Sequence, residues 1–247
     1  MPDFRLVLFA LLPLPLYAAE PLLVVRGEGN YPPYEMVVDG KLTGAHIELI
    51  EAAAHIAGYQ LTIQSVAWAR ALEMTKRGLA SAVSFASRTP ERESWLLFDE
   101  GNVLSTLRFG FFSLKQPNSP TWNGSFTSLH SYKIGVARAY AYPTEFSSQP
   151  GLQKYEQDGG YEALLRTLHN KRVDLIVGGV LEINTSAKQL GYADSIQLLS
   201  PTFGATASYL AFGRQSSNSR HAERMAAAFS KLKLDGSYQR ILTKYGL

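Results

Sequence analysis

Strand and helix signals alternate along the first half of the chain, and no other feature narrows its fold as far. Residues 22–25 (LLVV) form a buried-strand run. Residues 45–57 (AHIELIEAAAHIA) place Ile47, Ile50, Ala54 and Ala57 at helical spacing and stop at Gly58. Residues 61–66 (LTIQSV) alternate as a strand does, and a second helix is expected over 69–77, ending at Gly78. Residues 80–85 read as a strand. Thr89-Pro90 then opens a short helix, with a hydroxyl at the N-cap and proline at the first helical position. Strands joined through helices run parallel, with the helices covering the sheet, so the chain is expected to be α/β.

The pattern dissolves over residues 113–128, a polar stretch holding Pro117, Pro120 and Gly124. It then resumes on a smaller scale. Strands are expected at 132–137, 173–177, 196–199 and 209–212, with helices over 161–170 and 220–232. Two apolar segments, 107–114 (LRFGFFSL) and 207–212 (ASYLAF), flank this second unit and read as strands crossing between two lobes.

The 247 residues suffice for one large domain or two modest lobes. With 46% hydrophobic and 18% charged residues, a packed core is expected and a disordered chain is excluded. The net charge of +3 is scattered, so there is no electrostatic case for nucleic acid. With no cysteine, disulfides and thiol catalysis are excluded. His46, His55, His130, His169 and His221 show no HxxxH or HExxH spacing, and neither a metal nor another cofactor is expected. At the N-terminus, residues 6–17 (LVLFALLPLPLY) are too short to span a bilayer and are broken by Pro13 and Pro15. Followed by Ala18 and Ala19, they read as a secretory signal over residues 1–19, the alternative being a buried apolar strand.

Five segments, in order, carry a resemblance. They are Asn30-Tyr31-Pro32-Pro33-Tyr34; Gly40-Lys41-Leu42-Thr43-Gly44 with His46 and Glu48 after it; Ser87-Arg88-Thr89-Pro90-Glu91-Arg92 with Phe98 beyond; Tyr132-Lys133-Ile134-Gly135-Val136; and Asp235-Gly236-Ser237-Tyr238 with Ile241 and Tyr245. Together they resemble the bacterial extracellular solute-binding proteins of the polar amino-acid type, family 3, over essentially the whole mature chain. The resemblance implies the periplasmic-binding-protein type II fold: two α/β lobes joined by two hinge strands. Lobe one then takes residues 20–109 and 207–247, and lobe two takes 110–206. It further implies a monomeric, non-enzymatic periplasmic receptor for an amino acid or related carboxylate, working with an inner-membrane ABC permease.

Arg92 is the sharpest site candidate. It stands three positions after Thr89 on the first helical turn, where a guanidinium can pair bidentately with a carboxylate. By resemblance it is the α-carboxylate clamp, with the Ser87 and Thr89 hydroxyls beside it. Tyr31 follows the first strand, at the carboxyl end of a parallel sheet where open α/β folds bind ligands. It either stacks on or hydrogen-bonds the ligand, or packs within its loop. Trp68-Ala69-Arg70 resembles a W-x-R found in part of the family: Trp68 walls the cleft or packs between lobes, and Arg70 reaches the ligand or stays solvated. Ala139-Tyr140-Ala141-Tyr142 stands where relatives carry Gly-Thr-Thr, which makes Tyr140 and Tyr142 candidates. Relatives hold the ligand ammonium with an aspartate near Gly179. Here either Glu182 takes that group or the ligand has none. An enzyme on the same fold, a cyclic-acid dehydratase, needs a cleft carboxylate as acid or base, for which Glu28, Glu35 and Glu182 are candidates. A sensor without transport is the third reading.

Overall fold

The computed structural model describes residues 19–215 and 217–247. The expected signal peptide therefore lies outside the described residues, apart from Ala19. The chain runs through β1 (Glu20–Gly27), β2 (Met36–Val38), β3 (Lys41–Thr43), α1 (Ala45–Ala57), β4 (Tyr59–Val66), α2 (Trp68–Lys76), β5 (Ala82–Ser87), α3 (Pro90–Glu93) and β6 (Leu96–Leu97). It continues through β7 (Val103–Leu114), β8 (Lys133–Ala137), α4 (Thr144–Ser147), β9 (Gln153–Gln157), α5 (Gly160–His169), β10 (Leu175–Gly179) and α6 (Val180–Gln189). The last elements are β11 (Ile196–Leu198), β12 (Phe203–Gly213), α7 (Asn218–Leu234) and α8 (Ser237–Lys244). Among the described residues no helix is long and apolar enough to cross a membrane.

The strands of the main sheet follow the order β4-β1-β5-β12-β7-β10-β8-β9. On one side β1 pairs parallel with β4 and β5; on the other β8 pairs parallel with β9 and β10. Between these parallel halves run β7 and β12, antiparallel to each other, with Ser208 opposite Ser105 and Ala207 opposite Thr106. The two expected crossover strands are thus present and in contact. Each starts four residues before its apolar run. The leading residues include Ser105 and Thr106, whose backbone joins the ladder although they carry no apolar signal.

Two cores flank this pair. In lobe one, Leu22, Val24, Leu49, Ile50, Phe212 and Phe229 pack α1 and α7 against the sheet. In lobe two, Phe111, Trp122, Ile134, Phe146 and Val177 form one cluster, and Leu164, Leu168, Ile176 and Ile183 another. The expected loop over 113–128 is only partly a polar surface segment. Its Trp122 is buried on Phe111, with ring centroids 5.0 Å apart, and its Nε1 donates to the Pro201 carbonyl.

Local chemistry fixes the element ends. Gly58 closes α1 at φ 73°, a left-handed position that glycine takes at little cost, and its N–H reaches the Ala54 and His55 carbonyls. Gly44 stands before α1 because a Cβ there would come within 2.2 Å of the Tyr34 carbonyl oxygen. Thr89 caps α3, its Oγ1 accepting from the Arg92 N–H at 3.2 Å. Helix α6 carries no such mark. Its N-cap is Gly179, without a side-chain bond, and sequence periodicity passed over it.

Phe229 is fully buried between α7 and the lobe-one sheet. Phe229→Ala is expected to cost about 3–5 kcal/mol of stability, read from the shift in urea midpoint.

Candidate functional site

The carboxyl ends of the parallel strands in both lobes converge on one place. From lobe one come Gly27 at the end of β1, Tyr31 in the following loop, Trp68 at the start of α2, Ser87 at the end of β5, and Arg92. From lobe two come Tyr140 and Ala141 after β8, and Tyr161 at the start of α5. With Glu35, Phe85, Leu107 and Phe109 they line a cavity of about 40 Å3.

Arg92 is 4% exposed. Its Nη1 donates to the Ser87 carbonyl at 3.0 Å and its Nη2 to the Ala139 carbonyl at 2.7 Å. The guanidinium lies 5.5 Å from the centre of the Trp68 ring, within cation–π range. Trp68 Nε1 donates to the same Ala139 oxygen at 3.0 Å. One lobe-two carbonyl thus accepts from two lobe-one donors across the cleft. Ala139 makes this contact at φ 60°, a left-handed backbone that costs a non-glycine residue roughly 1 kcal/mol. Burial lowers the guanidinium's proton affinity and nearby Glu91 partly restores it, but the group stays charged. Arg92 forms no ion pair among the described residues; both cleft contacts are neutral carbonyls.

Aromatic rings fill most of the remaining space. The Tyr31 ring lies 5.7 Å from Phe85, 5.7 Å from Tyr161 and 5.9 Å from Tyr140. Tyr140 in turn meets Trp68 at 6.1 Å. Burial raises the phenol groups of Tyr31, Tyr140 and Tyr161, so all three stay neutral. Tyr161 Oη accepts from the Gly179 N–H at 3.1 Å.

The structure brings Tyr31, Trp68, Ser87, Arg92 and Tyr140 together around the cavity. The other predicted residues stand apart from its lining. Thr89 spends its Oγ1 on the α3 cap and borders an outer recess beside Arg92. Arg70 is exposed on the first turn of α2. Tyr142 turns into lobe two, where Oη accepts from the Ala137 N–H at 2.7 Å and the ring meets Phe146 at 5.4 Å. Glu182 is 1% exposed on the first turn of α6. Its Oε2 would stand 2.1 Å from a Cβ built on Gly179, so its carboxyl occupies the space that a side chain at 179 would claim.

Sequence reasoning named Glu35 only as a candidate cleft acid and passed over Arg26, its partner in the charged floor of the site. Arg26, fully buried in β1, donates from Nε to Glu35 Oε2 at 2.9 Å and from Nη1 to Ser65 Oγ at 3.0 Å. Burial alone would raise the Glu35 carboxyl, but His46 and Arg26 together hold it below the usual carboxylate value. Burial lowers His46, against the opposing pull of Glu35. His46 Nδ1 lies 3.6 Å from Glu35 Oε1, its Nε2 lies 3.0 Å from Ser105 Oγ, and Ser105 Oγ lies 2.8 Å from Ser208 Oγ. The signal was an arginine at the end of an apolar strand run, since a buried arginine requires a partner. Among the described residues no cluster of His, Asp and Glu is placed to hold a metal.

Burial pushes the Glu182 carboxyl up to about 7, and its Oε1 has no hydrogen-bond partner. A carboxyl raised in the folded state contributes its stability below its ordinary 4.5 and loses it as pH rises through 7. Glu182→Gln is therefore expected to stabilise the protein at pH 8, on the order of 1–3 kcal/mol, and to change little at pH 4. Urea midpoints of both proteins at the two pH values check this.

The profile described as bacterial extracellular solute-binding proteins, family 3, matches residues 23–247. A search of curated proteins returns no match. Several solved structures are similar in fold. A histidine kinase sensor domain with similarity to periplasmic binding proteins is 19% identical with a TM-score of 0.80, over 92% of this chain and 96% of that one. An ancestral arginine-binding protein bound to arginine is 20% identical with a TM-score of 0.78, over 91% and 97%. A Salmonella typhimurium periplasmic binding protein of high arginine specificity is 17% identical with a TM-score of 0.75, over 92% and 99%.

Proposed function

The chain belongs to the bacterial extracellular solute-binding proteins, family 3, and from that premise we propose that it is an exported periplasmic receptor for a small solute bearing a carboxylate. The observation that carries the reading is Arg92: a buried guanidinium with no ion-paired acid among the described residues, beside Ser87, at the carboxyl end of a parallel sheet. In this reading Arg92 holds the ligand carboxylate, with Ser87 beside it. Tyr31, Trp68 and Tyr140 cover the rest of the molecule.

The cavity is small against the roughly 150 Å3 that holds a benzene-sized guest. Ligand entry therefore requires the lobes to part. The boundaries of that motion fall near residues 109 and 206, inside or beside β7 and β12, and binding proceeds by closure about the pair. The ligand carboxylate then replaces the Ala139 carbonyl on Arg92. Thr89, Tyr142, Arg70 and Glu182 act, in this reading, at the rim or behind the lining.

A receptor is favoured over a dehydratase by where the acids stand. Glu28 is exposed, Glu35 is engaged by Arg26, and Glu182 is outside the lining, so among the described residues no free carboxylate lines the cavity as a general acid or base. We place the protein in solute import with an ABC permease. A sensing role uses the same closure, and one of the similar solved structures is a kinase sensor domain.

Removing one partner of a buried bidentate pair costs roughly 2–5 kcal/mol. Arg92→Ala is expected to weaken carboxylate binding about 30-fold to several thousand-fold, and Arg92→Lys to recover only part of it, since lysine lacks the planar fork. Calorimetric titration checks this. Wild-type affinity in Arg92→Ala contradicts the clamp.

A further inference from the structure

Only two side chains lining the cavity carry charge, Arg92 and Glu35. Glu35 already has its counter-ion in Arg26, at 2.9 Å with both groups buried. His46 beneath them has its proton affinity lowered by burial. Arg92 has carbonyls for partners and no carboxylate among the described residues. Within this lining, Arg92 is thus a nearly buried positive charge with no ion-paired acid among the described residues. Buried charges persist when they are paired, so the ligand must bring the balancing charge.

From this balance, and resting on the reading of the cleft as a carboxylate receptor, we infer that the ligand is a monocarboxylate without an ammonium group and with an apolar body. A single carboxylate brings the lined space to neutrality. A zwitterionic amino acid adds a cation along with its anion and leaves the excess charge in place; a cationic amino acid enlarges it. Neither Glu35 in the lining nor Glu182 behind it is free to offset an ammonium, and Glu28 and Glu91 border outer recesses rather than this cavity. Glu35 Oε2 is held by Arg26, and its Oε1 faces His46. Glu182 is folded against Gly179 at the start of α6, outside the lining, and position 179 itself has no side chain. Apart from Ser87 and the phenol hydroxyls of Tyr31, Tyr140 and Tyr161, the rest of the wall is apolar, including Trp68, Phe85, Leu107 and Phe109. Such a wall takes an alkyl or aryl group and offers neutral hydroxyls, but no free negative charge, to a second polar head.

The test uses the whole mature protein and matched pairs that differ only in the amino group: propanoate against L-alanine, and 4-methylpentanoate against L-leucine, with L-arginine as a fifth probe. Calorimetric titration at one ionic strength is expected to give at least tenfold tighter binding for each des-amino acid than for its partner, and the weakest binding for L-arginine. Equal or tighter binding of the amino partner in both pairs overturns the inference and leaves the carboxylate receptor standing. No binding by any of the five probes, or binding of 4-methylpentanoate that survives unchanged in Arg92→Ala, overturns the receptor reading itself and the inference with it.

Discussion

The antiparallel pairing of β7 with β12 is the constraint on which the rest of the molecule depends. Each strand has one edge on the other and one edge on a parallel half-sheet: β12 on β5, β7 on β10. The two lobes are therefore one sheet folded about its centre, and the carboxyl ends of both halves face the same gap. The residues lining the cavity need no long loops to meet there, because Tyr31, Ser87, Tyr140 and Tyr161 all lie at or just beyond strand ends or helix starts.

A polar chain ties this hinge pair to the cleft floor. It runs from Ser208 to Ser105, opposite each other on the two strands, then to His46, Glu35 and Arg26. Buried polar groups of this kind are costly unless each finds a partner, and the weakest step, the 3.6 Å between His46 Nδ1 and Glu35 Oε1, leaves both atoms unpartnered. Above that floor Ala139 spans the gap, and its carbonyl collects both Arg92 and Trp68. The strained φ at Ala139 and the neutral character of its carbonyl make this a contact that a charged carboxylate can displace, since charge-assisted bonds are the stronger kind.

Much of this was legible in the sequence where one residue carries one local cause. Gly58 ends α1, Thr89 caps α3, and Arg92 three residues later reaches the cleft for the same reason. The apolar runs announced both hinge strands but not their full length. Elements without a local cause stayed hidden. Strand β9 (QKYEQ) is a largely exposed edge strand with no apolar run, and α6 starts on a glycine. The site divides in the same way. Arg92, Ser87 and Tyr31 follow motifs, whereas the Arg26–Glu35 pair depends on a loop folding back over nine residues, which no spacing rule foretells. Tyr142 shows the converse, a residue marked by its neighbours in sequence whose hydroxyl is taken by the Ala137 N–H in its own lobe.

The central claim is that a ligand carboxylate takes the place of the Ala139 carbonyl on Arg92. A crystal structure of the protein with a bound carboxylate tests it most directly. The account predicts carboxylate oxygens within hydrogen-bond distance of the Arg92 guanidinium, with the Ala139 oxygen displaced from both Arg92 and Trp68. A bound carboxylate lodged elsewhere, with the Arg92 to Ala139 contact intact at its present 2.7 Å, contradicts it.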